Sequence, residues 1–197
     1  MRILFVTFFV VIVDQVTKLL VKGISVHAIG LNIKGMFPGQ KIPIISNLFN
    51  ITFVENPGIA FGINLGTEFK LLVSLFTLFA SIGLFYYLYK NRDKNLITRF
   101  SLALILGGAI GNLLDRLFYG LFYGYGSIFY GRVVDFLDFR IFNLFMFNKA
   151  VGSYIFNFAD VAVTVGVIIF FFSVNTKKAA EKEMPEDLEN YLADNKE

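Results

Sequence analysis

Asp160 is the single ionisable side chain in FNFADVAVTVGVIIFFF, residues 156–172, a stretch otherwise composed to stay out of water. An ionised carboxylate at mid-membrane costs about 3 kcal/mol even on lenient insertion scales, so it must be paired, neutralised or placed near an interface. No basic residue lies within a helical turn of Asp160, and the next cation along the segment is Lys177. The nearest acids upstream are Asp135 and Asp138, in RVVDFLDF. Two carboxyls held together outside water keep one proton between them, presenting one acid and one base. Activating a water against a peptide carbonyl and protonating the leaving nitrogen requires that pair of roles. In a strand Asp135 and Asp138 face opposite ways and on a helix they share a face, so geometry decides whether they are interchangeable.

Other polar residues recur at helical spacing. Asp14 with Lys18 and Gly108 with Asn112 are four apart; Asn112 with Asp115 and Asn157 with Asp160 are three apart, so each pair shares a helix face. Counted at about 1.5 Å per residue from one membrane side, Asp14 lies roughly 18 Å above Arg2, Asp115 roughly 24 Å above Arg99 and Asp160 roughly 21 Å above Val174. Three helices thus place acids at one depth, as a site assembled from several helices must. Asp14 and Lys18 read as an architectural ion pair, with Gln15 adding a hydrogen bond. Asp115 reads as a tie between loops or helices, and Arg116 as a side chain that snorkels to the headgroups. Gly107 and Gly111 make a small-residue face for close helix contact. Asn56, in NPGIAFG, suits either a cap on the turn set by Pro57 and Gly58 or a substrate contact.

The elements that must carry these residues are membrane spans. Of 197 residues 56% are hydrophobic and 17% charged, with a mean hydropathy of +0.65, which excludes an ordinary soluble domain. The uncharged run Leu71–Tyr89 covers roughly 28 Å as a helix, close to the hydrocarbon thickness of a bilayer. Spans over about 3–21, 100–117 and 153–174 bring the expected total to four. The segments 22–69 and 118–152 are too polar, or too interrupted by Gly, Pro and Asn, to cross, and long enough to fold at the interface. Five tyrosines between Tyr119 and Tyr154 suit an interfacial belt. Residues 1–176 read as one integral-membrane domain. Lys90, Arg92, Lys94 and Arg99 crowd one short connection, which places both termini in the cytoplasm. The tail 177–197, with 4 basic and 7 acidic residues, reads as a solvated and partly disordered cytoplasmic segment. Without cysteine there is no disulfide framework, no thiol catalysis and no lipid carried on an N-terminal Cys. The apolar N-terminus lacks a small-residue cleavage site and is interrupted by Asp14, Gln15 and Lys18, so it reads as a retained span.

Taken in order, DQVTK from Asp14, NPGIAFG from Asn56, GGAIGNLLDR from Gly107, VVDF from Val133 and FNFAD from Phe156 closely resemble the motifs of lipoprotein signal peptidase, the bacterial membrane aspartyl protease family also called signal peptidase II. The resemblance runs from the first expected helix to the last. It implies four transmembrane helices with a small extracytoplasmic β-cradle, to which NITFVE (Asn50–Glu55) would belong, and an interfacial helix. It implies an endopeptidase of the inner membrane whose site faces the outer leaflet and which cuts prolipoproteins just before a diacylglyceryl-modified cysteine. Asp135 and Asp160 would be the catalytic dyad. Asp14, Lys18, Asn56, Gly108, Asn112, Arg116, Asn157 and Ala159 would bind substrate or support the site. Lipidated prolipoproteins, membrane lipid and globomycin-like peptide inhibitors would be its partners; a monomer without cofactor, metal or nucleic acid is expected. The chain departs from the family in its long link LFYGLFYGYGSIFYGR, read here as a mobile lid over the site, and in its second acid, Asp138.

Two other chemistries were compatible with some of these residues. A small proton-coupled transporter would relay protons through Asp14, Asp115 and Asp160, but it calls for acids staggered across the membrane and repeated halves, and neither is visible. A serine–lysine hydrolase would rest on Lys149 and Ser153, four apart near the start of the last expected helix.

Overall fold

The computed structural model describes residues 2–26, 30–46, 48–58, 66–146 and 149–182. The last four residues of NPGIAFG and positions 183–197 of the charged tail lie outside them. In chain order the elements are α1 (Leu4–Lys22), β1 (Ile24–Val26), β2 (Leu31–Ile33), β3 (Lys41–Ile45), β4 (Phe49–Asn56), α2 (Gly66–Lys90), α3 (Leu96–Leu114), a π-helical turn over Asp115–Tyr119, the one-turn α4 (Gly120–Phe122), β5 (Val133–Met146), β6 (Lys149–Phe156) and α5 (Phe158–Lys182).

Three stretches are long and apolar enough to cross a bilayer, Leu4–Lys22, Phe69–Lys90 and Leu96–Phe122, and Phe158–Val174 is a shorter apolar one. Their outward faces carry bare phenylalanines, Phe5, Phe8 and Phe9 on α1, Phe76 and Phe79 on α2, Phe171 and Phe172 on α5. A surface of that kind is matched by lipid tails rather than water. α2 and α3 begin several residues before the uncharged runs that announced them, and so take in Lys70 and Arg99 near their N-terminal ends. α3 is the hub and packs against α1, α2 and α5. It can do so closely because a Cβ on Gly107 would lie 2.8 Å from the Val10 side chain and one on Gly111 would lie 2.5 Å from Asp14 Oδ2. Within the bilayer Ile3, Leu88, Leu102, Ala103 and Leu106 form a buried cluster.

The last helix corrects the expected span 153–174. Residues 153–156 belong to β6, whose Lys149–Phe156 segment pairs antiparallel with β5, and helix begins only at Phe158. The boundary has a local cause. Asn157 Oδ1 accepts the Asp160 backbone N–H at 3.0 Å, while Asp160 Oδ2 accepts the Asn157 backbone N–H at 3.1 Å. This reciprocal capping box satisfies two orphan donors and favours a helix start there by about 1 kcal/mol. It also removes the serine–lysine alternative, since four residues along a strand separate Lys149 and Ser153 by roughly 13 Å.

Outside the spans lies an antiparallel sheet ordered β3-β4-β5-β6, beside the small β1-β2 hairpin. β4 contains the expected NITFVE strand. The segment 118–152, expected to fold at the interface, supplies β5 and the first half of β6, and its helical residues are confined to the end of the π-helical turn and α4. Sheet and helices meet through a second cluster, Val21, Phe53, Tyr119, Val134, Phe136 and Leu137. The register sets Val54 opposite Asp135 and Asn50 opposite Asp138.

Candidate active site

Asp135 and Asp160 reach one place from different kinds of element. Asp135 lies on β5 and is buried; Asp160 is the third residue of α5, at the positive end of the helix dipole, where a negative charge is favoured. Each carboxylate is held by two donors. Asp135 Oδ1 accepts from Asn157 Nδ2 at 2.7 Å and its Oδ2 from Asn56 Nδ2 at 3.2 Å. Asp160 Oδ1 accepts from Asn112 Nδ2 at 2.8 Å and its Oδ2 from the Asn157 backbone. Asn157 therefore bonds to both acids, through its amide to one and its main chain to the other. Burial first, and then the nearby charge of Asp160, push the Asp135 carboxyl up to about 7, against the opposing pull of the Asn56 and Asn157 hydrogen bonds. A carboxyl that titrates near neutrality beside a second one can give and take protons within one cycle.

Beneath the acids lies a charged support. Lys18 Nζ is fully buried and spends its three hydrogens on Asp14 Oδ2 at 2.8 Å, Asp115 Oδ2 at 2.8 Å and Asn112 Oδ1 at 2.9 Å. Asn112 Oδ1 also accepts from Asn157 Nδ2 at 3.1 Å, which links the lysine cluster to both acids. Asp14 Oδ1 accepts the Ala159 N–H at 3.0 Å, and Asp115 Oδ2 accepts the Val134 N–H at 3.2 Å, next to Asp135. So α1 and α3 clamp the start of α5 and of β5. Gly108 contributes by absence: a Cβ there would meet the Ala159 carbonyl at 2.3 Å, so only glycine lets α5 approach.

Most of the residues expected at the site come together, Asn56 and Arg116 in roles other than those expected, and Asp138 turns away as strand geometry requires. Asn56 both closes a turn, accepting from Gly58 N at 2.9 Å, and donates to Asp135. Arg116 does not snorkel outward; Nη1 donates to the Asn112 carbonyl at 3.1 Å, and its charge acts on Asp160 and Asp135. The π-helical turn that starts at Asp115 is the irregularity that carries it, as such bulges often do near functional sites. Asp138 occupies the opposite side of β5, buried, accepting from Thr52 Oγ1 at 2.8 Å with Lys41 at 3.6 Å.

Gln15, expected only to add a hydrogen bond, and Glu55 and Lys22, not expected at the site, take part in its surroundings. Gln15 Nε2 reaches Asp14 at 3.2 Å, the Gly111 carbonyl at 3.0 Å and Asp115 at 2.8 Å. Its place directly after Asp14 was the available signal. Glu55 receives both Lys22 and Arg132, the latter at 3.0 Å. It adjoins Asn56, but an acid in an interfacial strand carries no mark of its partners. The long aromatic link makes several contacts with the body of the fold. Tyr123 Oη donates to the Gly23 carbonyl at 2.7 Å, Gly131 N to the Arg116 carbonyl at 2.9 Å, and the Lys22 ammonium sits 4.0 Å from the Tyr123 ring centroid. Among the described residues none of its hydrogen bonds reaches Asp135 or Asp160.

A buried Asp135 and a partly buried Asp160, joined through Asn157 at the head of a helical membrane fold, suit a membrane-embedded hydrolase, and comparison with known proteins gives the class. A profile for signal peptidase (SPase) II matches residues 6–176, and the chain belongs to that family. It is 36% identical over 169 residues to a lipoprotein signal peptidase of Moorella thermoacetica, covering 86% of this chain and 89% of that one. To the lipoprotein signal peptidase of Fusobacterium nucleatum it is 34% identical, over 84% of this chain and 81% of that one. A bacterial membrane enzyme solved at 2.3 Å by the in meso method superposes with a TM-score of 0.66 at 29% identity, covering 93% of each chain. A second, solved at 1.9 Å, gives 0.62 at 30% identity over 88% of this chain and 92% of that one. The chain is therefore a peptidase of a bacterial membrane, and the transporter alternative falls.

Proposed function

We propose that this chain is an aspartyl endopeptidase that removes the signal peptide from diacylglyceryl-modified prolipoproteins, cutting just before the lipidated cysteine. The names of its relatives and the five motif blocks support the substrate class; the observation that carries the mechanism is the shared clasp of Asn157 on Asp135 and Asp160. A water held between the acids attacks the scissile carbonyl carbon. Asp160, at the positive end of α5, takes the water proton. Asp135, whose carboxyl is pushed up to about 7, reacts in its protonated form and gives that proton to the leaving nitrogen as the C–N bond breaks. Transfer of the proton from Asp160 back to Asp135 resets the pair.

Asn56, Asn112 and Asn157 orient the two carboxylates, and the positive charge of Arg116 offsets negative charge on the dyad. Asp14, Lys18, Gly108 and Ala159 fix the height and approach of α5. The basic connection Lys90–Arg99 supports a cytoplasmic location for that loop and for both termini, with the sheet and the dyad at the outer leaflet of the inner membrane. A monomer is sufficient, because both acids come from one chain, and peptide inhibitors of the globomycin kind would compete for the same site.

The test is cleavage of a diacylglyceryl-cysteine precursor by the purified chain. Asp135→Asn and Asp160→Asn are each expected to abolish processing while leaving the protein inserted, with a cooperative thermal transition. Normal cleavage by either variant overturns the dyad.

A further inference from the structure

A recess of about 230 Å³, lined by neither acid of the dyad, lies between the start of α2 and the long aromatic link, against Lys70, Tyr125, Gly126, Ser127, Tyr130 and Arg132. Lys70 is the second residue of the apolar stretch Phe69–Lys90, which puts its ammonium where the helix leaves the hydrocarbon. Among the described side chains, which do not include Glu68, Lys70 makes no ion pair. Arg132 does have a partner, Glu55, but Lys22 uses the same carboxylate. Lys70 and Arg132 thus bring two cations to the recess, with Glu55 paired to Arg132 and Lys22. The wall is built: Ser74 Oγ lies 2.8 Å from both the Lys70 and Phe129 carbonyls, and Arg132 N donates to Tyr125 Oη at 3.0 Å. Phe129 is held at φ 73°, a conformation an L-residue keeps only where its surroundings impose it.

We infer that this recess binds the phosphate of an anionic phospholipid of the outer leaflet, with Lys70 and Arg132 as the charged contacts. The chemistry, a phosphate facing an ammonium and a guanidinium, is shared with free phosphate. The position at the end of a span favours the lipid, because headgroup phosphates concentrate at that depth. A bound headgroup would tie α2 to the link that leads into β5. This reading is independent of the cleavage chemistry, and its readout is lipid retention rather than activity.

The experiment is native mass spectrometry of the full chain in detergent, titrated with phosphatidylglycerol, phosphatidylcholine or inorganic phosphate. The wild type is expected to retain one phosphatidylglycerol in preference to phosphatidylcholine, and Lys70→Gln to weaken that retention roughly fivefold, the effect of one cation at an anionic surface. Lys70→Arg should keep it, as should Lys90→Gln at the other end of the helix. Equal retention of the two lipids by the wild type, or retention unchanged in Lys70→Gln, refutes the site. Displacement of the lipid by millimolar inorganic phosphate assigns the site to a free anion and overturns the lipid as ligand. If Lys70→Gln does not fold, loss of the lipid preference at raised salt in the wild type supports the site, and a salt-independent preference refutes it.

Discussion

Replacing Asn157 by alanine removes the 2.7 Å hydrogen bond from its amide to Asp135 Oδ1. A hydrogen bond to a charged group contributes about 1.5–3 kcal/mol, and one pKa unit corresponds to about 1.4 kcal/mol. The donor favours the ionised carboxylate, so its loss raises the Asp135 value, from about 7 by roughly one to two units. Activity requires the pair to keep one proton, so the alkaline limb of kcat/KM against pH, expected near 7 in the wild type, moves upward by that amount. The same side chain caps α5, and losing the cap costs about 1 kcal/mol, a fall in Tm of some 2–4 °C for a chain of this size. Asn157→Ser separates the two effects: it keeps a capping oxygen but is too short to reach Asp135, so stability is largely retained while the limb still moves. The assay is the pH profile of precursor cleavage in detergent micelles, with thermal unfolding of the same samples. An alkaline limb that stays in place in both variants, or moves down, refutes the account of how Asp135 is tuned.

Other outcomes follow from the same geometry. Because the folded-state value of Asp135 lies above the ordinary aspartate value, its contribution to stability is complete below about pH 4 and lost as pH rises through about 7. The Tm of Asp135→Asn relative to wild type should therefore rise between pH 5 and pH 8, and a flat difference would contradict the burial argument. Lys18→Met leaves Asp14 and Asp115 buried without their cation and should cost about 3–5 kcal/mol, seen as a large fall in Tm that Asp14→Asn with Asp115→Asn partly restores. Asp138→Asn should retain precursor cleavage and lose about 1–3 kcal/mol through its bonds to Thr52 and Lys41; loss of turnover as complete as in Asp135→Asn would make Asp138 part of the chemistry.

Much of this site was legible before any coordinates. The spacing of Asp14 with Lys18 and of Asn157 with Asp160 identifies shared helix faces, and the common depth of Asp14, Asp115 and Asp160 implies one pocket. The Lys18 cluster and its link through Asn112 to Asp160 connect all three. Less legible was the start of α5: KAVGSYIF is apolar enough to continue a span, and only pairing with β5 makes it a strand. Arg116 was read as a snorkelling side chain because a lone arginine at a helix end usually has water to reach. The π-helical turn that directs it inward depends on how α3 meets the sheet.

Sequence by itself determined the membrane-spanning character, the number of apolar segments and the short set of acids able to share a proton. These follow from hydropathy and helical periodicity, which act over neighbouring residues. Tertiary structure decided which acid stands opposite Asp160. Asp135 and Asp138 are chemically alike and three residues apart, and only strand geometry turns one toward Asn157 and the other toward Thr52. Strand pairing joins residues distant in the chain, so the side a carboxylate faces is set by the register of β4 and β5 and by no local pattern.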